Sequence, residues 1–259
     1  LPEVQTEIDK MERVNAMMEL HPLEDEDGTV FASCFRGFNE GRLDQGGRIY
    51  GAWQSKKPRE RLAMMIDGSS VCEVDIKGSF LFLGHHLSGH KTELETDPYQ
   101  AIPFVRNAAT DRERKNLRGL AKVIVGAAWY MTTKMSKLPK GKKKDELGRV
   151  LSLRDQFEVP KALRSRTLIN DVYATFPFLL DKEVRGFDLM YQESEIILAA
   201  MLALWDRGIP TYPVHDCLLC RQQDQEEVVA AIQQKMTQQF GQSAVLEVEC
   251  LEGVRVVSG

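Results

Sequence analysis

Asp75 is the carboxylate most plainly set up for chemistry. From Val71 to Ile76 the apolar Cys72, Val74 and Ile76 alternate with Glu73 and Asp75. A period of two sends the apolar set to a core and the acids to the other face of a strand. Asp75 is thus presented at an open face, just before a turn into an apolar helix that runs to Gly89. A second acid, Asp216, lies in the run Tyr-Pro-Val-His-Asp-Cys-Leu-Leu-Cys ending at Cys220. Apolar residues flanking a His-Asp pair read as a β-hairpin that exposes Asp216 at its tip, although the dipeptide alone is common. A third group sits on a helix expected over Asp111 to Tyr130, where Arg118, Lys122, Gly126 and Tyr130 recur every four residues or multiples of four. At 3.6 residues per turn each step of four drifts by about 40°, so the four share an arc of roughly 120°. Two cations and a phenol on one face suit a triphosphate, the cations neutralising charge on a leaving pyrophosphate and the ring covering a base or sugar. Spacing alone favours the plainer reading of a basic surface helix with an incidental tyrosine.

The elements that must position these groups follow from the pattern around them. Pro2 to Leu20 has apolar residues at helical spacing and stops at His21-Pro22. A Gly-rich stretch over residues 41–51 places Arg48 among Gly46, Gly47 and Gly51, where the backbone can take positive φ or lie close against a neighbour. Asp67-Gly68 marks the turn before the Asp75 strand. Phe187 to Trp205 reads as a core helix stopped by Gly208 and Pro210, Glu226 to Phe240 as an amphipathic helix, and Val245 to Cys250 as a closing strand. Between Lys134 and Arg149 seven cations crowd a stretch where Pro139 and Gly141 break any helix. A solvated mobile loop and a phosphate contact fit that run equally well.

At 259 residues, with 43% hydrophobic and 28% charged residues and a net charge of −4, the chain suits an ordinary globular protein rather than a disordered one. The net charge does not advertise a nucleic-acid binder, but such footprints can be local. No apolar run is long enough for a bilayer and no signal peptide is visible, so no membrane partner and a cytoplasmic setting are expected. The five cysteines are odd in number and lie mostly in apolar runs, which argues for reduced thiols; in Cys217-x-x-Cys220 the two side chains would point to opposite faces of a strand. His85, His86 and His90 suggest zinc only weakly, because no Cys or acid falls at ligand spacing beside them.

Asp75 to Gly89, ending His86-Leu87-Ser88-Gly89, resembles without a gap the motif A region of family A DNA polymerases, the bacterial DNA polymerase I type, in which a metal-binding Asp leads into such a helix. Arg118, Lys122 and Tyr130 match the spacing of that family's fingers helix, motif B, and Val214-His215-Asp216 resembles its motif C. The Gly-Arg element at Arg48 resembles the one that precedes motif A there and in phage-type single-subunit RNA polymerases. Three departures stand out. Gly126 replaces an aromatic that stacks on the incoming nucleotide, Cys217 replaces the Glu of DNA polymerases and the Ser of phage-type RNA polymerases, and Phe80 replaces the Glu that crowds the ribose 2′ position.

The resemblance, to a minimal mobile-element or phage-type version, implies an α+β fold: a small antiparallel palm sheet with a helical fingers lobe and a reduced thumb. The expected division is 1–45 as an N-terminal helical segment, 46–110 as palm with motif A, 111–178 as fingers with the basic loop, and 179–259 as palm with motif C. It implies a template-directed DNA polymerase of DNA replication, without proofreading, that extends primed DNA with dNTPs as a monomer in a bacterial or phage-infected cell. Asp75 and Asp216 would hold two Mg²⁺ ions, or Mn²⁺, because in-line nucleotidyl transfer is served by two ions about 3.5–4 Å apart on carboxylates from adjacent strands. Arg118 and Lys122 would serve catalysis at the phosphates, Tyr130 and Phe80 the nucleotide, and Arg48, Gln192 and His215 the nucleic acid, with His215 positioning the hairpin rather than acting as a base. Cys217 and Gly126 keep NTPs, and hence an RNA polymerase or primase, as the alternative. An inactive nucleic-acid-binding relic is a further one, and a nuclease is disfavoured because cleavage does not need the Arg118/Lys122/Tyr130 face.

Overall fold

A computed structural model describes residues 1–89, 96–181 and 183–258; His90 lies outside them. In chain order the elements are α1 (Pro2–Leu20), β1 (Leu23–Glu24), β2 (Val30–Phe31), β3 (Cys34–Phe38), β4 (Gly46–Gly51), α2 (Pro58–Leu62), β5 (Met65–Ile66), β6 (Ser69–Ile76) and α3 (Ser79–Leu87). There follow α4 (Pro103–Arg106), α5 (Asp111–Ala128), α6 (Leu153–Gln156), α7 (Ser165–Thr175), α8 (Gly186–Trp205), β7 (Thr211–Val214), β8 (Cys217–Arg221), α9 (Gln225–Phe240), β9 (Leu246–Cys250) and β10 (Gly253–Val257). The fold is α+β, with its strand pairs antiparallel. The chain divides into two compact units, Leu1–Leu83 with Phe187–Gly259, and Gly84–Gly186. No helix is long and apolar enough to cross a membrane among the described residues.

In the first unit β6 is the central strand, flanked by β8 and β9, with β7 outside β8 and β10 outside β9. The Asp67-Gly68 turn, both residues at positive φ (51° and 72°), joins β5 to β6 as a two-residue hairpin of the kind whose twist suits right-handed strands. One face of β6, with Cys72, Val74 and Ile76, is buried, and α9, whose buried residues include Val228, Ile232 and Met236, packs on β6 and β8. On its other face Glu73 is buried and ion-paired with Arg61 at 2.6 Å, whereas Asp75 is half-buried. The β7–β8 hairpin is pinned from behind. Trp53 Nε1 donates to the Pro213 carbonyl at 3.0 Å, its ring stands edge-on to Tyr212, and the Tyr212 hydroxyl accepts from Leu23 N at 3.0 Å while meeting the His21 carbonyl at 2.7 Å.

The Gly-rich stretch becomes β4, paired with β3. Gly47 has φ +71°, and a Cβ there would lie 2.9 Å from both Arg36 Nη2 and Ser194 Oγ, so the glycine lets Arg36 and α8 close onto the strand. The second unit is helical. Thr110 caps α5, accepting from Glu113 N, and Leu117, Leu120, Ala121, Ile124, Val125 and Ala128 form its buried stripe.

Candidate active site

The sheet sets Asp75 and Asp216 at neighbouring backbone positions. Asp75 on β6 is the cross-strand partner of Cys217 on β8, and Asp216 is the residue just before it. Cross-strand partners have Cβ atoms about 4.5–5.5 Å apart. Val214 pairs with Cys217, so His215-Asp216 is a two-residue turn, and His215 takes a left-handed φ of 58° to make it. Such strained turns recur at functional sites. The turn is tied to the central strand by Ile76 N, which donates to the Asp216 carbonyl at 3.1 Å. Asp216, like Asp75, is half-buried.

Behind Asp216 lies a polar chain. Ser79, at the start of α3, has its hydroxyl 3.2 Å from Asp216 Oδ2 and within hydrogen-bond reach of Glu193 Oε2. Glu193, on α8, is 0% exposed and takes Arg48 on its other oxygen, with Nε at 2.8 Å. Burial first, and then the neighbouring charge of Asp216, push the Glu193 carboxyl up to about 7. A serine has one proton to give to two carboxyl groups.

The remaining first-unit candidates surround this chain. Phe80 is half-buried with its ring centroid 5.5 Å from the Arg48 guanidinium carbon. The His215 ring lies edge-on to Tyr50, and Gln192 Oε1 accepts from Gln239 Nε2 at 2.6 Å. Cys217 is buried, and burial raises its thiol pKa, so the position after Asp216 supplies a neutral group. Cys220 points to the other face, with its sulfur 3.6 Å from that of Cys72.

In the second unit Arg118 is half-buried and Lys122 and Gly126 are exposed on one side of α5. Arg118 grips Asp97 with two nitrogens, at 2.7 and 3.2 Å, and both Arg118 and Lys122 stand over the Tyr99 ring, at 5.4 and 5.7 Å. Burial would raise the Asp97 carboxyl, but the hydrogen bond and charge of Arg118 outweigh it and hold Asp97 below the usual carboxylate range. The helix is two residues shorter than expected. It ends at Ala128, and Trp129 is buried with its ring stacked on Phe178. Tyr130, 47% exposed, therefore leaves the helical arc and packs its ring against Gly186.

A carboxylate on β6 and another in the β7–β8 turn offer hard, partly exposed oxygens. That suits Mg²⁺, which binds proteins through one or two carboxylates and completes its shell with water and substrate phosphate. Among the described residues no group of three or more His, Cys, Asp or Glu side chains could hold a metal by itself, and His85 sits in an aromatic cluster with His86 and Phe178.

No protein-family model matches this sequence, and no curated protein matches it. A solved structure does. The polymerase domain of Pol1 from M. smegmatis, in complex with DNA primer-template and dNTP, is similar to this chain with a TM-score of 0.48 and 14% identity. The match covers 98% of this chain and 50% of that one, so the chain spans half the length of the structure it resembles.

Glu193 is the residue that sequence reading missed. It stands in the run Gln-Glu-Ser-Glu of residues 192–195, which reads as the polar opening of a core helix. Its one signal was position: a second turn into an otherwise apolar helix, an acid there must find partners inside.

Proposed function

We propose that the chain is a template-directed nucleotidyltransferase that extends a DNA primer with deoxynucleotides. What supports this most is the juxtaposition of Asp75 and Asp216 across β6 and the β7–β8 turn. In this reading Asp75 and Asp216 would hold two Mg²⁺ ions, whose chemistry would be to activate the primer hydroxyl and to steady the departing pyrophosphate. The protein's own part is orientation. Ser79 fixes the rotamer of Asp216, and β6 fixes Asp75 with no loop to relax. Arg118 and Lys122 take the triphosphate, Tyr130 and Phe80 the nucleotide, and Arg48, Gln192 and His215 the primed template.

The deciding assay is extension of a primed template with Mg²⁺, comparing dNTPs, NTPs and an unprimed template. Extension with dNTPs only on the primed template is the expected result; NTP use without a primer would favour an RNA polymerase or primase, and no incorporation would leave a nucleic-acid-binding relic. Lys122→Ala should raise the KM for dNTP or depress kcat by about 10–100-fold, since it removes one charge from a site that neutralises several. Unchanged single-nucleotide kinetics would take Lys122 out of the phosphate site. Phe80→Ala should raise ribonucleotide incorporation about tenfold or more if the ring bars a 2′-hydroxyl. Equal dNTP/NTP selectivity in both proteins would make Phe80 only a packing partner of Arg48.

A further inference from the structure

The lysine-rich run is not a loose loop. Lys144 and Val150 form an antiparallel bridge, Leu151 N donates to the Lys143 carbonyl at 2.9 Å, and Asp145 N donates to the Arg149 carbonyl at 2.9 Å. Asp145 organises the tip: its Oδ1 accepts from Leu147 N at 3.0 Å and Arg149 N at 2.8 Å, and its Oδ2 from Arg149 Nε at 2.7 Å. Gly148 closes the turn at φ +76°. At the base, a Cβ on Gly141 would meet the Leu151 carbonyl oxygen at 1.9 Å, so only glycine lets the two arms lie this close. The returning arm runs into α6, capped by Ser152 and anchored by buried Leu153.

This hairpin displays charge that the protein does not use internally. Lys140, Lys142, Lys143 and Lys144 are all exposed, and none of them is in an ion pair among the described residues. Residues 134–149 hold seven cations and two acids, a net +5, in a chain of net −4, so the remainder carries −9. Lysines at alternate positions of an extended arm are about 6.8 Å apart, twice the 3.4 Å axial rise per nucleotide of one B-DNA strand. Lysine is a point charge that carries no base readout. Leu147 at the tip is 76% exposed, a feature that an anionic lipid surface would also take.

We infer that the Lys140–Lys144 arm of this hairpin is a sequence-independent contact for the sugar–phosphate backbone of a nucleic acid. It rests on the proposed function for its purpose, but its test reads binding alone. The 259-residue chain carrying Asp75→Asn is titrated with fluorescein-labelled primer–template over a range of salt, with and without Lys142→Gln/Lys143→Gln/Lys144→Gln. Three lost phosphate contacts should flatten the slope of log K against log salt by about 2.7, at roughly 0.9 per contact. Should the triple variant melt early, Lys143→Gln alone is expected to flatten it by about 0.9. An unchanged slope overturns the inference, as does hairpin-dependent binding to phosphatidylserine vesicles that equals or exceeds binding to DNA. Failure of the wild-type protein to extend a primer would sink the polymerase reading while leaving this slope difference intact, so the two failures are distinguishable.

Discussion

Asp216→Asn should lower single-turnover primer extension with Mg²⁺ by about a thousandfold or more, the equivalent of at least about 4 kcal/mol of transition-state stabilisation. The substitution keeps the shape of the side chain and its hydrogen bond from Ser79, whose hydroxyl lies 3.2 Å from Oδ2. It removes only the charge that a divalent ion needs. Asp75→Asn should do the same, and the double variant should be little worse than either single one, because in the proposed mechanism the two acids serve one metal pair and act as a unit. Binding of primed DNA should change by less than about threefold. Stability should hold or rise, since the charge of Asp216 is one of the causes that push Glu193 up, and an amide there relieves it. Extension that survives either substitution would remove the acids from catalysis; lost extension accompanied by an early melting transition would instead make Asp216 structural.

The acids were legible in the sequence because local rules place them. Period two fixes which face of β6 carries Asp75, the Asp67-Gly68 pair fixes where that strand begins, and the short span between Tyr212 and Cys220 leaves His215-Asp216 no position but the turn. Arg118 and Lys122 were legible for the same reason, as helical spacing sets their side of α5. Tyr130 was not. No glycine or proline marks the end of α5, and the helix stops because Trp129 turns inward against Phe178 and Gly84, a tertiary preference that has no local signature. Glu193 was illegible for a stronger version of that reason. Its partners Ser79 and Arg48 lie 114 and 145 residues away in sequence, and only the closing of β4 and α3 onto α8 reveals that a residue resembling a helix-opening acid is buried. The basic run falls between these cases: Gly141 and Asp145 could be seen, but the close approach of Gly141 to Leu151 that makes a hairpin of them could not.

Arg48 is paired with buried Glu193 and is proposed to hold the primed template, and one substitution separates the two roles. Arg48→Ala strips the cation from Glu193, which is 0% exposed. Breaking a buried pair from one side costs about 3–5 kcal/mol, because the remaining charge has no solvent, and at roughly 2–4 °C per kcal/mol the melting temperature should fall by about 10 °C. The pH dependence should sharpen as well. A carboxyl whose pKa is higher in the folded than in the unfolded state favours folding at low pH and costs stability as pH climbs from its unfolded value to its folded one. For Glu193 in the native protein that window runs from about 4.5 to about 7. Without the Arg48 charge, which lowers the Glu193 value, the upper end moves above 7, so the variant should lose stability relative to the native protein between pH 7 and pH 8 and recover part of it at pH 5. Glu193→Gln added to Arg48→Ala should restore much of the loss, because a neutral amide has no charge to leave stranded. Melting curves at pH 5, 7 and 8 decide the matter. A variant that melts like the native protein at all three, yet binds primed DNA with a salt slope shallower by about 0.9, would show that Arg48 spends its charge on phosphate and that the buried pair with Glu193 is incidental.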